Sequence, residues 1–263
     1  MNSSGCARSA TQSPRTTRGK RIASIAAAKE SQAAAQELPI GPISLDLSMA
    51  ELLGRVATDS GDPTYSYIAS TFVLDDPGRH FRQTGSAPNF QGGYVSLCTC
   101  KHRMRTRLPV SEWPRKWIAV FSSRTLLSGL HWLTCLFRVS QAFESHADLW
   151  TSREDLRAAK SAQLNYLGDL YQPVDALTGE DRFRPKKYLT PALHVHHKRT
   201  EDQGWENDIS YMKQKAGLPR PALLVGEPSL CFLWLEPVVS LSRSHSRDYE
   251  KWPTLESLLG VLK

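Results

Sequence analysis

Trp117-Ile-Ala-Val-Phe-Ser122, a loop, and then Leu130-His-Trp-Leu-Thr-Cys-Leu-Phe-Arg-Val-Ser140 are the two runs on which the fold turns. Both are rich in Trp, Ile, Val, Phe and Leu and are separated by a glycine-bearing connection, the signature of adjacent strands. Working outward, Tyr65 to Leu74 and Tyr94 to Cys100 read the same way. The connection between them, Asp75 to Gly93, is long for a purely structural loop. Downstream, Ala192 to His197, Ala222 to Gly226 and Leu230 to Leu235 are further strands. Helices are marked by capping boxes at Ser48-Met-Ala-Glu51, with Met49, Leu52, Leu53 and Val56 following, and at Thr151-Ser-Arg-Glu154, running toward Ala162. A last helix opens at Pro253, with Leu255, Leu258, Leu259 and Leu262 on one face. Without regular βαβ alternation, the expected class is α+β, mostly β, with helices at the edges.

The composition supports a folded domain and adds a charge asymmetry. The 263 residues are 40% hydrophobic and 22% charged, and 33 Lys and Arg against 26 Asp and Glu leave +7, which makes an acidic polymer a plausible partner. From Met1 to Lys29 there is no acidic residue. Residues 1–40 carry six bases and two acids, 6 − 2 = +4 of that excess. The expected division is a disordered basic tail and linker helix over 1–62, with Ala23 to Leu38 a frayed helix, and one domain over 63–263. Such a tail reads as a nonspecific electrostatic arm, and its Arg/Ser-rich, acid-poor start also resembles an organelle transit peptide. Five cysteines, odd in number, without an apolar signal sequence, read as reduced thiols in a cytoplasmic protein. Thr125 to Phe137, the longest apolar stretch free of charge, is shorter than the about 20 residues that a membrane helix needs. No membrane partner is expected.

No Gly-x-Gly-x-x-Gly, Walker, Gly-x-Ser-x-Gly or His-Glu-x-x-His pattern occurs, which removes the commonest phosphate-cradle, hydrolase and metalloprotease readings. Cys98, Cys100 and His102 alternate, so on a strand they share a face that would suit zinc, but a fourth ligand is missing nearby. His194-Val-His196-His197, with Glu201 and Asp202 after it, is the other cluster fit for metal or acid/base work. No metal or cofactor is assigned. The densest basic segment is Lys101-His-Arg-Met-Arg105, followed by Arg107, placed to reach phosphates or base edges. Phe90, Tyr94, Trp113 and Trp117 lie nearby in sequence; a stacked base is worth roughly 1–3 kcal/mol per ring.

Gly85-Ser-Ala-Pro-Asn-Phe-Gln-Gly-Gly93 and Tyr94-Val-Ser-Leu-Cys-Thr-Cys-Lys-His-Arg-Met-Arg105 together resemble the core motif of a nucleotide-modification-associated domain family of bacteria and phages. Gly168-Asp-Leu-Tyr171 is similar to a Gly-Asp-x-x-Tyr element of that family, and the segments around Val225 and Phe232 resemble its late strands. The resemblance spans about Tyr65 to Leu241. It departs at His102, where the family has proline, and at Arg115-Lys116, where it has a Gly-Asp turn. The order of strand, basic turn, Trp117 strand and long strand is also similar to that of PUA-like and EVE-like barrels that hold a flipped or modified base. The resemblance implies a nucleic-acid-associated domain in DNA base modification or in recognising modified bases, with DNA or a nucleotide, and base-modification enzymes encoded nearby, as partners.

On this reading Asn89, Lys101, Arg103 and Arg105 contact base or phosphate, and Asp169 and Tyr171 are polar groups of the same pocket. Cys100 is a candidate nucleophile whose thiol pKa Lys101 and Arg103 would lower, with Asp169 as its catalytic companion. The alternative is an enzyme acting on a free nucleotide or small attached group through Cys100 or the His194, His196 and His197 cluster. A third reading is a structural partner in a modification complex, tethered by the tail.

Overall fold

The computed structural model describes residues 43–75, 79–124, 128–191, 204–211, 218–246 and 248–263. The chain runs β1 (Ser44–Leu45), α1 (Met49–Val56), β2 (Thr64–Ala69), β3 (Phe72–Leu74), β4 (Phe81–Gln83), β5 (Ser96–Leu97), α2 (His102–Arg105), β6 (Trp117–Ser122) and β7 (His131–Phe143). It continues through α3 (His146–Ser152), α4 (Glu154–Lys160), α5 (Glu206–Ser210), β8 (Leu223–Leu233), β9 (Ser240–Leu241), β10 (Glu250–Trp252) and α6 (Leu255–Leu259). Among the described residues the class is α+β, built on an eight-stranded mixed sheet in the order β1-β8-β7-β6-β2-β10, with β5 added to β8 and β9 to β7. β2 runs parallel to β6, β1 parallel to β8, and the remaining ladders are antiparallel.

β6 explains the unbroken apolar run that marked it. Its side chains alternate, so Ile118 and Val120 pack with Tyr65, Tyr67, Cys135 and Phe137 on one face. Trp117, Ala119 and Phe121 pack with Leu133, Leu136 and Phe232 on the other. A strand buried on both faces needs hydrophobic residues at every position rather than at alternate ones. α1 and α6 close the second face with Leu52, Val56, Leu255 and Leu258. The first face is covered by residues from the 81–113 stretch, including Phe90, Met104 and Trp113.

α1 carries the expected capping box: Ser48 N donates to the Glu51 carboxylate at 2.8 Å, and Glu51 N to Ser48 Oγ at 3.4 Å. Leu52 and Val56 are its buried residues, whereas Leu53 faces solvent. The helix is docked on the sheet, and β1 before it pairs with β8, so the folded part takes in residues ahead of Pro63. Gly54 sits in the interior of α1 with nothing within 4 Å of a would-be Cβ. Gly54→Ala is therefore expected to raise stability by about 0.5–1 kcal/mol, read as a higher urea midpoint at unchanged slope.

Several element boundaries differ from the sequence reading. Tyr65 to Leu74 divides after Ala69, because Phe72–Leu74 leaves the large sheet to pair with Phe81–Gln83. Of Tyr94 to Cys100 only Ser96 and Leu97 are strand. Ala222 to Gly226 and Leu230 to Leu235 fuse into β8, which accommodates its middle by register shifts against β7. The Thr151 box does not form, since Thr151 lies inside α3 and helical backbone cannot serve as a cap. Ser145 caps α3 instead, its side chain accepting from Asp148 N at 3.1 Å, and α4 begins after Arg153 without a side-chain cap. A closed barrel of the PUA-like kind is not found: the sheet path ends at β1 and β10, which do not pair among the described residues. Ala23 to Leu38 and Ala192 to His197 lie outside the described residues.

Candidate functional site

The segment after β4 turns sharply before entering β5. Gly92 and Gly93 both have positive φ, 72° and 74°, which an L side chain rarely adopts. The turn brings Asn89 opposite Ser96, where the two exchange backbone hydrogen bonds of 2.8 and 2.9 Å. The Asn89 side chain is then fully engaged inside the protein: Nδ2 donates to Leu167 O, and Oδ1 accepts from Gln91 N at 2.8 Å and from Lys160 Nζ at 2.8 Å. Lys160, at the end of α4, also donates to Asn89 O at 2.9 Å and to Tyr94 O at 2.6 Å. Its three protons thus meet three oxygens, none of them a carboxylate. Burial lowers its pKa to about 8, with the nearby charge of Asp169 opposing that fall.

Asp169 is fully buried beside this turn. Its carboxylate accepts from Ser96 Oγ at 2.9 and 3.0 Å and from Cys98 N at 3.1 Å. Burial raises its pKa, and Lys160 and these hydrogen bonds pull the other way. Gly168, just before it, lies so close to the backbone of Ser161 that no side chain fits there.

A second carboxylate, Asp208 of α5, joins the next part of the motif. Its Oδ1 accepts from Cys100 N at 3.3 Å and stands 2.9 Å from His102 Nε2, while Tyr171 OH donates to Oδ2 at 3.1 Å. His102 stacks on Tyr211, with ring centroids 4.4 Å apart. Tyr171 N in turn donates to His146 Nδ1 at 3.3 Å, which places the His146 proton on Nε2. That Nε2 is buried and makes no hydrogen bond of normal geometry among the described residues, although the Asp208 backbone acts on it as an acceptor. Burial pushes the His146 pKa down to about 3, so it is neutral at ordinary pH. Arg105 is fully buried as well; Nε donates to Cys100 O at 2.9 Å and Nη1 to Ala222 O at 2.7 Å, while Nη2 is unpartnered among the described residues. A small pocket, with enclosed room for about one water molecule, is lined by His146, Asp208, Tyr211, Phe183, Arg182 and Arg220. Polar sites of modest size hold water or a ligand group. Its arginines are already paired, Arg182 with Asp148 and Glu144, and Arg220 with Glu180.

The structure therefore gathers Asn89, Cys100, Arg105, Asp169 and Tyr171 about two buried carboxylates, Asp169 and Asp208. Asn89, Arg105, Asp169 and Tyr171 are buried, so in this structure they do not face a nucleic-acid backbone. Arg105 is directed inward because it and Arg103, two apart on the single turn of α2, cannot share a face. Arg103 is the exposed one of the pair. Lys101 is part-buried over the Tyr67 ring at 5.0 Å, donates to Asp248 O at 3.2 Å, and has its pKa lowered by burial. Cys98, Cys100 and His102 do not alternate along a strand: β5 ends at Leu97, Cys100 and Lys101 take positive φ of 55° and 48°, and His102 starts α2. No group of three or more His, Cys, Asp or Glu that could hold a metal occurs among the described residues, and the four described cysteines are free thiols. His194, His196 and His197 lie outside the described residues.

Of the stacking candidates, Phe90, Trp113 and Trp117 are core residues, while Tyr94 is part-buried with the Arg153 guanidinium 5.0 Å from its ring. Lys160, His146, Asp208 and Ser96 were not singled out by sequence. Each is a lone polar residue whose partners are distant in the chain, 71 residues for Lys160 to Asn89 and 73 for Ser96 to Asp169. Among the described residues no helix is long and apolar enough to cross a membrane. No family model, curated protein or solved structure matches the chain.

Proposed function

We propose that the protein is a nucleic-acid-associated domain acting in DNA base modification or in recognition of modified bases, with the small pocket beside His146 as the place where one polar group of a base is read. One observation carries the reading. The stretches that resemble the nucleotide-modification-associated domain family, 85–105 and 168–171, are far apart in sequence, yet Asp169 bonds Ser96 and Cys98, and Tyr171 shares Asp208 with Cys100. A shared buried network is what a common site requires of such motifs, and its cost in desolvation is borne only where the polar groups are mutually satisfied. His146 adds a neutral donor behind the pocket wall, within reach of a single small acceptor such as a water or one carbonyl of a base. Within this reading Asn89, Lys160 and Asp169 position the wall, and a PUA-like or EVE-like likeness is one of element order.

The test is binding of the full chain to matched oligonucleotides with and without modified cytosine or thymine, and to free nucleoside monophosphates. Preference for one modified strand is expected, and His146→Phe, which keeps the bulk and removes Nε2, is expected to reduce that preference about tenfold, the scale of one lost buried hydrogen bond. An unchanged preference in the variant would remove the pocket from the reading. The other outcome is an enzyme acting on a free nucleotide or small attached group through Cys100. Binding of monophosphates as tight as that of the polymer would select it.

A further inference from the structure

The chain leading from β9 into β10 crosses the basic stretch that contains α2. There Asp248 Oδ2 stands 3.0 Å from Arg103 Nη1, and Asp248 O accepts from Lys101 Nζ at 3.2 Å. The neighbouring Tyr249 ring has the Arg107 guanidinium 5.4 Å from its centroid and the Tyr65 ring 6.4 Å away. Lys251 Nζ lies 5.9 Å from the Tyr65 ring. Arg103, Arg107 and Lys251 are all exposed. A carboxylate and a carbonyl thus sit among cations beside the part-buried Tyr249 ring, and cations tracking a backbone beside an aromatic platform are how unpaired strands are held. We propose that Arg103, Arg107, Tyr249 and Lys251 form a contact face for single-stranded nucleic acid, with Asp248 occupying the place of a backbone phosphate until the strand displaces it. This rests on the nucleic-acid reading above and narrows it to one face and to unpaired strands.

The surroundings of Asp248 fit a replaceable group on a fixed support. On one side His245 Nδ1 donates to Ser246 O at 2.6 Å, which leaves Nε2 to accept from Ser66 Oγ at 2.7 Å, and Trp252 Nε1 donates to that Oγ at 2.8 Å. On the other, Glu250 accepts from Ser246 N at 2.7 Å and pairs with Arg243. The Asp248–Arg103 pair itself is open to water, with side chains 38% and 69% exposed, and such pairs are weak enough for a phosphate to compete. A duplex buries the faces of its bases against each other, so only an unpaired base can reach the Tyr249 ring.

The experiment compares the full chain with its variants on labelled oligothymidylate and on a duplex of equal length, across a salt series. The 1–40 stretch is common to all proteins, so its charge cancels in the comparison. Asp248→Asn is expected to tighten single-strand binding up to about fivefold, and Arg103→Ala in that background to cancel the gain. Tyr249→Ala is expected to weaken the single strand about 5- to 100-fold and the duplex far less, with Tyr249→Phe restoring it. Unchanged affinity in Asp248→Asn, or equal losses on both substrates in Tyr249→Ala, would overturn the proposal. Binding indifferent to all these substitutions would overturn the face and leave the broader reading standing; no binding to any strand would overturn both.

Discussion

Gly168→Ala is expected to lower the melting temperature by about 10 °C. A Cβ at this position would lie 2.3 Å from Ser161 O, 2.4 Å from Ser161 C and 2.6 Å from Ala162 N, all backbone atoms with no rotamer to retreat into. The two segments are tied at that point, Leu170 N donating to Lys160 O and Ala162 N to Leu170 O, each at 2.9 Å. Relief must therefore separate residues 160–162 from 168–170, and with them Lys160 from its oxygens and Asp169 from Ser96 and Cys98. Overpacking alone costs about 1–3 kcal/mol, and loosening buried hydrogen bonds adds to it, giving roughly 3–4 kcal/mol. At about 2–4 °C per kcal/mol for a chain of this size, that is the stated shift. Thermal unfolding followed by circular dichroism measures it, and a change below 2 °C would mean that the loop carrying Asp169 is not held as described.

The second large effect is on acid stability. His146 has a folded-state pKa of about 3 against an ordinary 6.5, because burial disfavours its charged form. As pH falls, the unfolded chain takes up this proton first. The stability tied to neutral His146 is therefore whole above about pH 6.5 and is lost progressively as pH falls toward 3. The span, 6.5 − 3 = 3.5 units, sets an upper bound of roughly 5 kcal/mol. Asp169 acts in the opposite sense, since its raised pKa lets the folded state bind a proton earlier than the unfolded one. Urea midpoints between pH 7 and pH 4 should fall steeply for the natural sequence and less steeply for His146→Phe. Parallel profiles would show that another group governs the acid limb.

Both effects involve residues that sequence reading passes over or assigns to ligand contact. A basic segment reads as surface because charge is usually solvated, yet Arg105 packs inside, where carbonyls of Cys100 and Ala222 replace its water. Lys160 and His146 lie in no pattern, because their partners arrive from other elements. What pattern does reveal is local: the capping box of α1, the two-sided apolar run of β6, and the leucines of α6 each reflect an environment set by neighbouring residues. β8 reads as two strands because Gly226-Glu-Pro-Ser229 looks like a turn, and only pairing with β7 on both sides of that interruption makes it one. The meeting of Asp169 with the motif around Cys98 was anticipated only by resemblance.

The order β1-β8-β7-β6-β2-β10 interleaves early and late parts of the chain, with β8 separating β1 from β7, and β2 seated between β6 and β10. Loop-closure entropy must be met before those pairings form, which slows folding in sheets dominated by distant contacts. During synthesis the strands β2, β6 and β7 emerge well before β8 and β10, leaving β7 and β2 with unsatisfied edges. Such edges recruit other chains. Yield on expression should therefore respond to temperature and to chaperone supply more strongly than the final stability of the protein would suggest.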